Sequence, residues 1–392
     1  MTDPHPAASR GFSTSEFERR TDAAQKIMAQ CGLDAMLLTT EPEVRYFTGF
    51  DTIFWLSPTR PWFVVVPSKG KPIAVIPEIG APSMSLTWVT DIRTWLAPRP
   101  EDDGITLLTD TLHEVMPNDG TLGLPMGHET HVRMPAADFR RLQSGLDGIS
   151  IADGTDVVRS LRMVKSEAEI TKIARMCSIA SSAFADLPNH IKAGDTERQA
   201  FAKFKIDLLQ KGADDVPYLV GSSGPGGFTD VINRPTDRVI IEGDMLLLDT
   251  GSLYDGYSCD FDRNFAFGHA SDAAKTAYDL AWRATEAGLQ AARPGITTTE
   301  LWATMGKVLE DGGCSGHQIG RMGHGLGMQV TEWPSLMAGD DTMIEADMVL
   351  TLEPGLAFGD GKMMLHEENI VIREGGAELL TRRAARDLPI IT

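Results

Sequence analysis

Short apolar runs broken by polar turns organise the first third of the chain. "FSTSEF" predicts a helix start, with Ser13 as N-cap, Glu16 completing a capping box, and Phe12 and Phe17 as a hydrophobic staple. That helix is expected to run to about Cys31 and stop at Gly32. Beyond it "DAMLLTT", "VRYFTGF", "PWFVVVP" and "KPIAVIP" read as strands, with "SKGK" as a hairpin turn between the last two. Strands mixed with helices continue to about residue 153, enough for a complete small α/β domain.

A second pattern follows. Ser166 caps a helix with Glu169 in the box position, and Ile170, Ile173, Ala174, Cys177 and Ala180 give it one apolar face. Further capped helices are expected near Asp195, Ser271 and Thr297, the last with Glu300 in the box position. Strand-rich blocks lie between them at roughly 215–268 and 318–380. The pattern is α+β, with helices packed on a curved, mainly antiparallel sheet. The chain therefore divides into an N-terminal domain of 1–155 and a second domain of 160–392.

Composition fits this picture: of 392 residues 42% are hydrophobic and 23% charged, enough for a sizeable core. The net charge of −19 and the lack of any Lys/Arg-rich run argue against nucleic acid or an anionic membrane as partner. Cys31, Cys177, Cys259 and Cys314 are scattered and form no metal or disulfide pattern, so a reducing cytoplasm is the expected setting. No run has the length of a membrane span, and "MTDPHPAASRGFSTSEF" lacks the apolar stretch of a signal peptide.

The acidic residues change the picture most. Asp249 ends the apolar strand "DMLLLDTG", and Asp260 and Asp262 lie inside "YSCDFDRNFAF" after a turn at 254–256. Glu353 ends "MVLTLEPG", and Glu367 and Glu368 precede the strand Ile370–Ile372. Burying ionised carboxylates without partners costs several kcal/mol each, and these strands hold no matching set of basic residues. A metal is the natural compensation. The hairpin spacing lets Asp249, Asp260 and Asp262 share one face. His324 stands among glycines in "GHGLGMQVTEWPS", where small neighbours let the backbone approach a crowded site. Four carboxylates (Asp249, Asp260, Glu353 and one of Glu367 or Glu368) with one imidazole suit two divalent ions bridged by carboxylate and water.

In this order the residues resemble the creatinase/aminopeptidase P, or pita-bread, family of dinuclear metallopeptidases, which includes Xaa-Pro dipeptidases. The likeness rests on "LRMVKSEAEI", "SSGP", "RPTDRVIIEGDMLLLDTG", "GHGLGMQVTEWPS" and "LTLEPGL", and more loosely on "TRPWFVVVP" in a creatinase-like N-terminal domain. By position it implies Asp249, Asp260, His324, Glu353 and Glu367 as ligands, with Glu353 also handling the proton of the attacking water. It implies manganese, iron, cobalt or zinc, manganese favoured, and a homodimer in which one chain's N-terminal domain borders the other's active site. Arg60 and Trp55 would then bind a carboxylate or cationic part of a small substrate.

Two departures stand out. Ile232 and Thr331 occupy positions where family peptidases carry histidines that hold the peptide, and losing such a donor typically costs on the order of two or three powers of ten in rate. Asp262 falls near a working glutamate of metal-free creatinase, and it reads either as catalytic or as a partner of Arg263 or another nearby group. The expectation is a metal-dependent hydrolase of a dipeptide or small amino-acid-derived C–N bond. The rivals are a non-peptide specialist, such as a dimethylsulfoniopropionate lyase or creatine-type amidinohydrolase, and a non-enzymatic binding protein. "GSSGPGGF" lacks the GK[ST] ending of a phosphate loop, and Ser222 and Ser223 have no nearby base.

Overall fold

A computed structural model describes residues 8–57, 60–313 and 320–392; Thr59 and Cys314 lie outside the described residues. The chain forms two compact units, Ser9–Arg162 and Met163–Thr392, the latter joined by Ala8.

The N-terminal unit is built on a six-stranded mixed sheet in the order β4-β3-β2-β1-β5-β6. Its strands are β1 (Ala35–Leu38), β2 (Phe63–Pro67), β3 (Ile73–Pro77), β4 (Asp91–Trp95), β5 (Thr121–Leu124) and β6 (Ser150–Asp153). Every residue of β1, β2 and β3 is buried, which is why they read as continuous apolar runs instead of alternating. The helices are α1 (Thr14–Cys31), α2 (Glu41–Thr48), α3 (Ala81–Met84), α4 (Ile105–Val115), α5 (Ala136–Gly145) and α6 (Thr155–Met163).

Two local expectations need correction here. "VRYFTGF" is not a strand but the body of α2. Extended Thr40 precedes it, Pro42 fits its first turn, and left-handed Gly49 ends it, while Val44, Tyr46 and Phe47 are buried. At α1 the staple forms, with Phe12 and Phe17 rings 6.1 Å apart, but Ser13 makes no side-chain cap bond. The Glu16 carboxylate is taken instead by Arg19 at 2.7 Å and Arg20 at 3.0 Å.

The second unit carries α7 (Glu167–Asp186), α8 (Glu197–Gln210), α9 (Asp272–Ala291) and α10 (Thr298–Asp311). Full capping boxes close the starts of α7 (Ser166 with Glu169), α8 (Thr196 with Gln199) and α10 (Thr297 with Glu300). The α8 cap is therefore Thr196 and not Asp195, whose carboxylate binds Lys192 N–H and Lys203 Nζ. One sheet joins β7 (Asp215–Pro225), β8 (Asp244–Tyr254), β9 (Tyr257–Ser258) and β10 (Phe261–Phe267). The other holds β11 (His324–Gly325), β12 (Glu332–Ser335), β13 (Val349–Leu352), β16 (Glu368–Arg373) and β17 (Gly376–Leu379). β14 (Gly355–Phe358) pairs with β15 (Lys362–Leu365), and β18 (Ile390–Ile391) edges the first sheet parallel to β10. All other pairings in this unit's sheets are antiparallel. One apolar core packs α9 and α10 against β13, β14 and β16. No helix among the described residues is long and apolar enough to cross a membrane.

Candidate metal centre

The β8–β10 hairpin turns through Asp255 and Gly256, both with left-handed backbone, and its register sets Asp249 directly opposite Asp262. Asp260 lies two residues before Asp262, between β9 and β10, and so returns to the same face. In the other sheet Leu352 pairs with Glu368, so one step further the two strands deliver Glu353 and Glu367 side by side.

His324 reaches this group because its neighbours are glycines. A Cβ on Gly325 would stand 1.9 Å from the Trp333 carbonyl oxygen, and one on Gly323 2.3 Å from that of Thr351. The Nδ1 of His324 lies 2.8 Å from the Gly325 carbonyl, an acceptor only, so Nδ1 carries the proton and Nε2 turns to the carboxylates. Nε2 is 3.3 Å from Asp260 Oδ2 and 3.6 Å from Glu353 Oε2. One ligand atom from each of Asp260, His324 and Glu367 lies within 4.8 Å of the others.

Electrostatically the cluster is under strain. Burial, then the charges of Asp260, Asp262 and Glu353, pushes the Asp249 carboxyl well above the carboxylate range. Glu367 rises likewise, through burial and then Asp260 and Asp249. Burial lifts Asp260 to about 6, even though His324 pulls it down, and lifts Asp262 to about 7 against the pull of Arg263. Burial alone would lower the His324 imidazole, but Glu353 and Asp260 prevail and raise it. Two buried oxygens of the predicted ligands, Asp249 Oδ1 and Glu367 Oε1, have no hydrogen-bond partner among the described residues. Buried acceptors left open beside an imidazole nitrogen suit divalent metal ions, and the donor set is mostly hard oxygen with one nitrogen.

Neighbouring acids are otherwise engaged. Glu368 is fully buried and accepts from Arg263 at 2.9 Å, Arg383 at 3.1 Å and the Ala384 N–H at 2.9 Å, which leaves Glu367 as the member of that pair facing the cluster. Arg263 does not bond the Asp262 carboxylate; its guanidinium donates to the main-chain carbonyls of Asp262 and Glu367. Asp262 Oδ1 accepts the Glu367 N–H at 3.0 Å.

Three residues at the site were not singled out from sequence. Tyr218 donates to Asp249 Oδ2 at 3.2 Å from β7, Arg321 approaches Glu353 Oε1 to 3.7 Å, and Asn369 pairs with the main chain of Asp260. Only Arg321 had a signal, as a basic residue three positions before His324.

Residues 171–374 match the model of metallopeptidase family M24, and residues 20–164 match the creatinase/prolidase N-terminal domain. The chain belongs to metallopeptidase family M24. Among M24 relatives, a probable dipeptidase PepE of Mycobacterium tuberculosis is 28% identical over 371 residues, covering 94% of this chain and 95% of that one. The crystal structure of dipeptidase PepE from Mycobacterium ulcerans is 29% identical with a TM-score of 0.84, over 98% of this chain and 100% of that one. Recombinant prolidase from Thermococcus sibiricus is 25% identical with a TM-score of 0.86, over 97% and 100%.

The remaining residues named from sequence lie as follows. Ile232 is 71% exposed in a loop. The Thr331 hydroxyl accepts from Arg321 Nη2 at 3.3 Å, which links it through that guanidinium to Glu353. Arg60 and Trp55 belong to the N-terminal unit, gathered around Arg133. Its guanidinium donates to their carbonyls at 2.9 and 3.1 Å and stands 5.2 Å from the Trp55 ring centre.

Proposed function

We propose that this M24 chain is a hydrolase that holds two divalent metal ions, manganese before iron, cobalt or zinc, on Asp249, Asp260, His324, Glu353 and Glu367. The observation that carries the reading is the cluster of Asp260, His324 and Glu367 with buried carboxylate oxygens left open around it. Bound there, divalent ions would polarise a substrate carbonyl and acidify a water. His324 is held by its Nδ1 bond, so that Nε2 keeps one direction. Glu353 keeps 19% of its side chain exposed, so its carboxylate can take a proton from water and return it to the leaving nitrogen. Arg321, 3.7 Å from Glu353 Oε1 and itself partly exposed, supplies a permanent positive charge for an anionic or carbonyl oxygen of the substrate.

The substrate class we infer is a dipeptide or a small amino-acid-derived amide. Names of relatives support the first: Pyrococcus furiosus Xaa-Pro dipeptidase is 25% identical over 371 residues. Exposed Ile232, and Thr331 with a hydroxyl in place of an imidazole, support the second. The same proposal includes a homodimer in which Arg60 and Trp55 of one copy border the other's site. The test is hydrolysis of a panel of Xaa-Pro dipeptides by manganese-loaded protein. Cleavage with release of proline supports the peptidase reading; metal bound without cleavage of any member moves the reading to non-peptide amides.

A further inference from the structure

Asp260 and Glu367 arrive on different segments, and neither has its main chain in a ladder: Asp260 falls between β9 and β10, and Glu367 just before β16. Buried main-chain groups outside a ladder need partners from elsewhere. Arg263 donates to the Glu367 carbonyl, and two further side chains supply the rest. Asn369 Oδ1 accepts the Asp260 N–H at 2.9 Å while its Nδ2 donates to the Asp260 carbonyl. Asp262 Oδ1 accepts the Glu367 N–H at 3.0 Å. Asn369 is two residues beyond Glu367, and Asp262 two beyond Asp260, so each segment lends a side chain to the other's main chain. Both helpers are buried, and Cys177 Sγ, 3.3 Å from Asn369 Oδ1, braces Asn369 from α7.

We propose that Asp262 and Asn369 are positioning residues, a reciprocal lock that fixes the separation of Asp260 and Glu367 on which metal binding by this cluster would depend. This rests on the metal reading above and extends it to residues that bind no metal themselves. It assigns Asp262 by its Oδ1 acceptor rather than by its charge.

The experiment compares wild type, Asp262→Ala, Asp262→Asn and Asn369→Ala by titration of metal-free protein with manganese(II), followed by electron paramagnetic resonance of the loaded samples. Losing an outer-shell partner of a metal site typically costs about 10–100-fold in affinity, and that loss is expected for both alanine variants, with loss of the spin-coupled two-manganese signal. Asp262→Asn keeps an oxygen acceptor and is expected to bind within about threefold of wild type with the coupled signal intact. An Asp262→Asn variant as weak as Asp262→Ala overturns the proposal, because Asp262 then acts through its charge as ligand or base. Alanine variants that bind like wild type overturn it too. If Asp262→Ala does not fold, Asp262→Asn against wild type decides: near-equal affinity supports the lock, and a tenfold loss or more overturns it. If wild type binds no manganese, the metal reading falls and takes this inference with it; wild-type binding with unchanged variants removes the inference alone.

Discussion

Asp249 and Asp262 face each other as a register pair across β8 and β10, Asp262 buried and Asp249 half-buried with its Oδ1 enclosed, at a place where sheets normally set apolar or oppositely charged partners. Like charges directly opposite are destabilising. With Asp260, Glu353 and Glu367 added, the arrangement costs the metal-free protein stability that bound cations would return.

That cost has a pH signature. Asp260 at about 6 and Asp262 at about 7, with Asp249 and Glu367 also raised, all sit above their unfolded values near 4. A raised carboxyl contributes stability that is full below its unfolded pKa and is lost as pH rises through the folded one. Metal-free protein is therefore expected to unfold at a lower temperature at pH 8 than at pH 5. Carboxylates shifted downward, such as Asp195 and Glu197, are ionised at both pH values and do not offset this. Manganese at pH 8 should restore the difference. Thermal scans with and without metal test this, and a metal-free Tm that rises from pH 5 to pH 8 contradicts it.

Removing one charge should separate stability from binding. In Asp249→Asn the shape is kept but one buried like charge disappears, so metal-free protein at pH 8 is expected to be more stable than wild type. Its manganese affinity should fall by more than the roughly 10–100-fold typical of an outer-shell change. Calorimetric titration beside thermal unfolding reads both, and a variant that gains stability without losing manganese removes Asp249 from the ligand set.

Gly325 gives a steric prediction. With Trp333 oxygen 1.9 Å from the place of a Cβ, Gly325→Ala forces the β11–β12 ladder apart beneath His324. Overpacking of this kind costs about 1–3 kcal/mol, and manganese binding should weaken with it. Denaturant unfolding checks the first and titration the second; an alanine variant equal to wild type in both contradicts the packing argument.

Arg321 should matter for turnover more than for metal. Arg321→Met is expected to lower kcat/KM on the best substrate found by about 10²-fold or more, the usual loss for one donor aimed at developing charge. Manganese affinity should change by less than about threefold, since Arg321 approaches Glu353 through Oε1 at 3.7 Å while Oε2 is the oxygen that faces His324. A variant that loses metal and activity together points instead to a role in holding Glu353.

Much of this was legible in the sequence because the signals were local. The apolar run before Asp249, the strand that stops at Glu353, the tight turn at 254–256 and the glycines around His324 are each complete within a dozen residues. β8 nevertheless continues past Asp249 to Tyr254 and so carries that aspartate at its middle, not its end. Helix α2 was missed although its own signals, Thr40 with Pro42 and a closing Gly49, were present; its aromatic and β-branched content imitated a strand. Glu16 had two nearby arginines to choose over Ser13, and charge-assisted pairs prevailed. Tyr218 and Asn369 could not be found, because their partners Asp249 and Asp260 are set by sheet register and by contacts 31 and 109 residues distant in sequence.

The most direct measurement is the number of manganese ions bound per chain, by calorimetric titration of metal-free protein. Two ions per chain in wild type, with fewer or far weaker ions in His324→Ala and Glu367→Gln, is the result the buried cluster predicts. No binding, or binding indifferent to His324 and Glu367, would contradict the account at its centre.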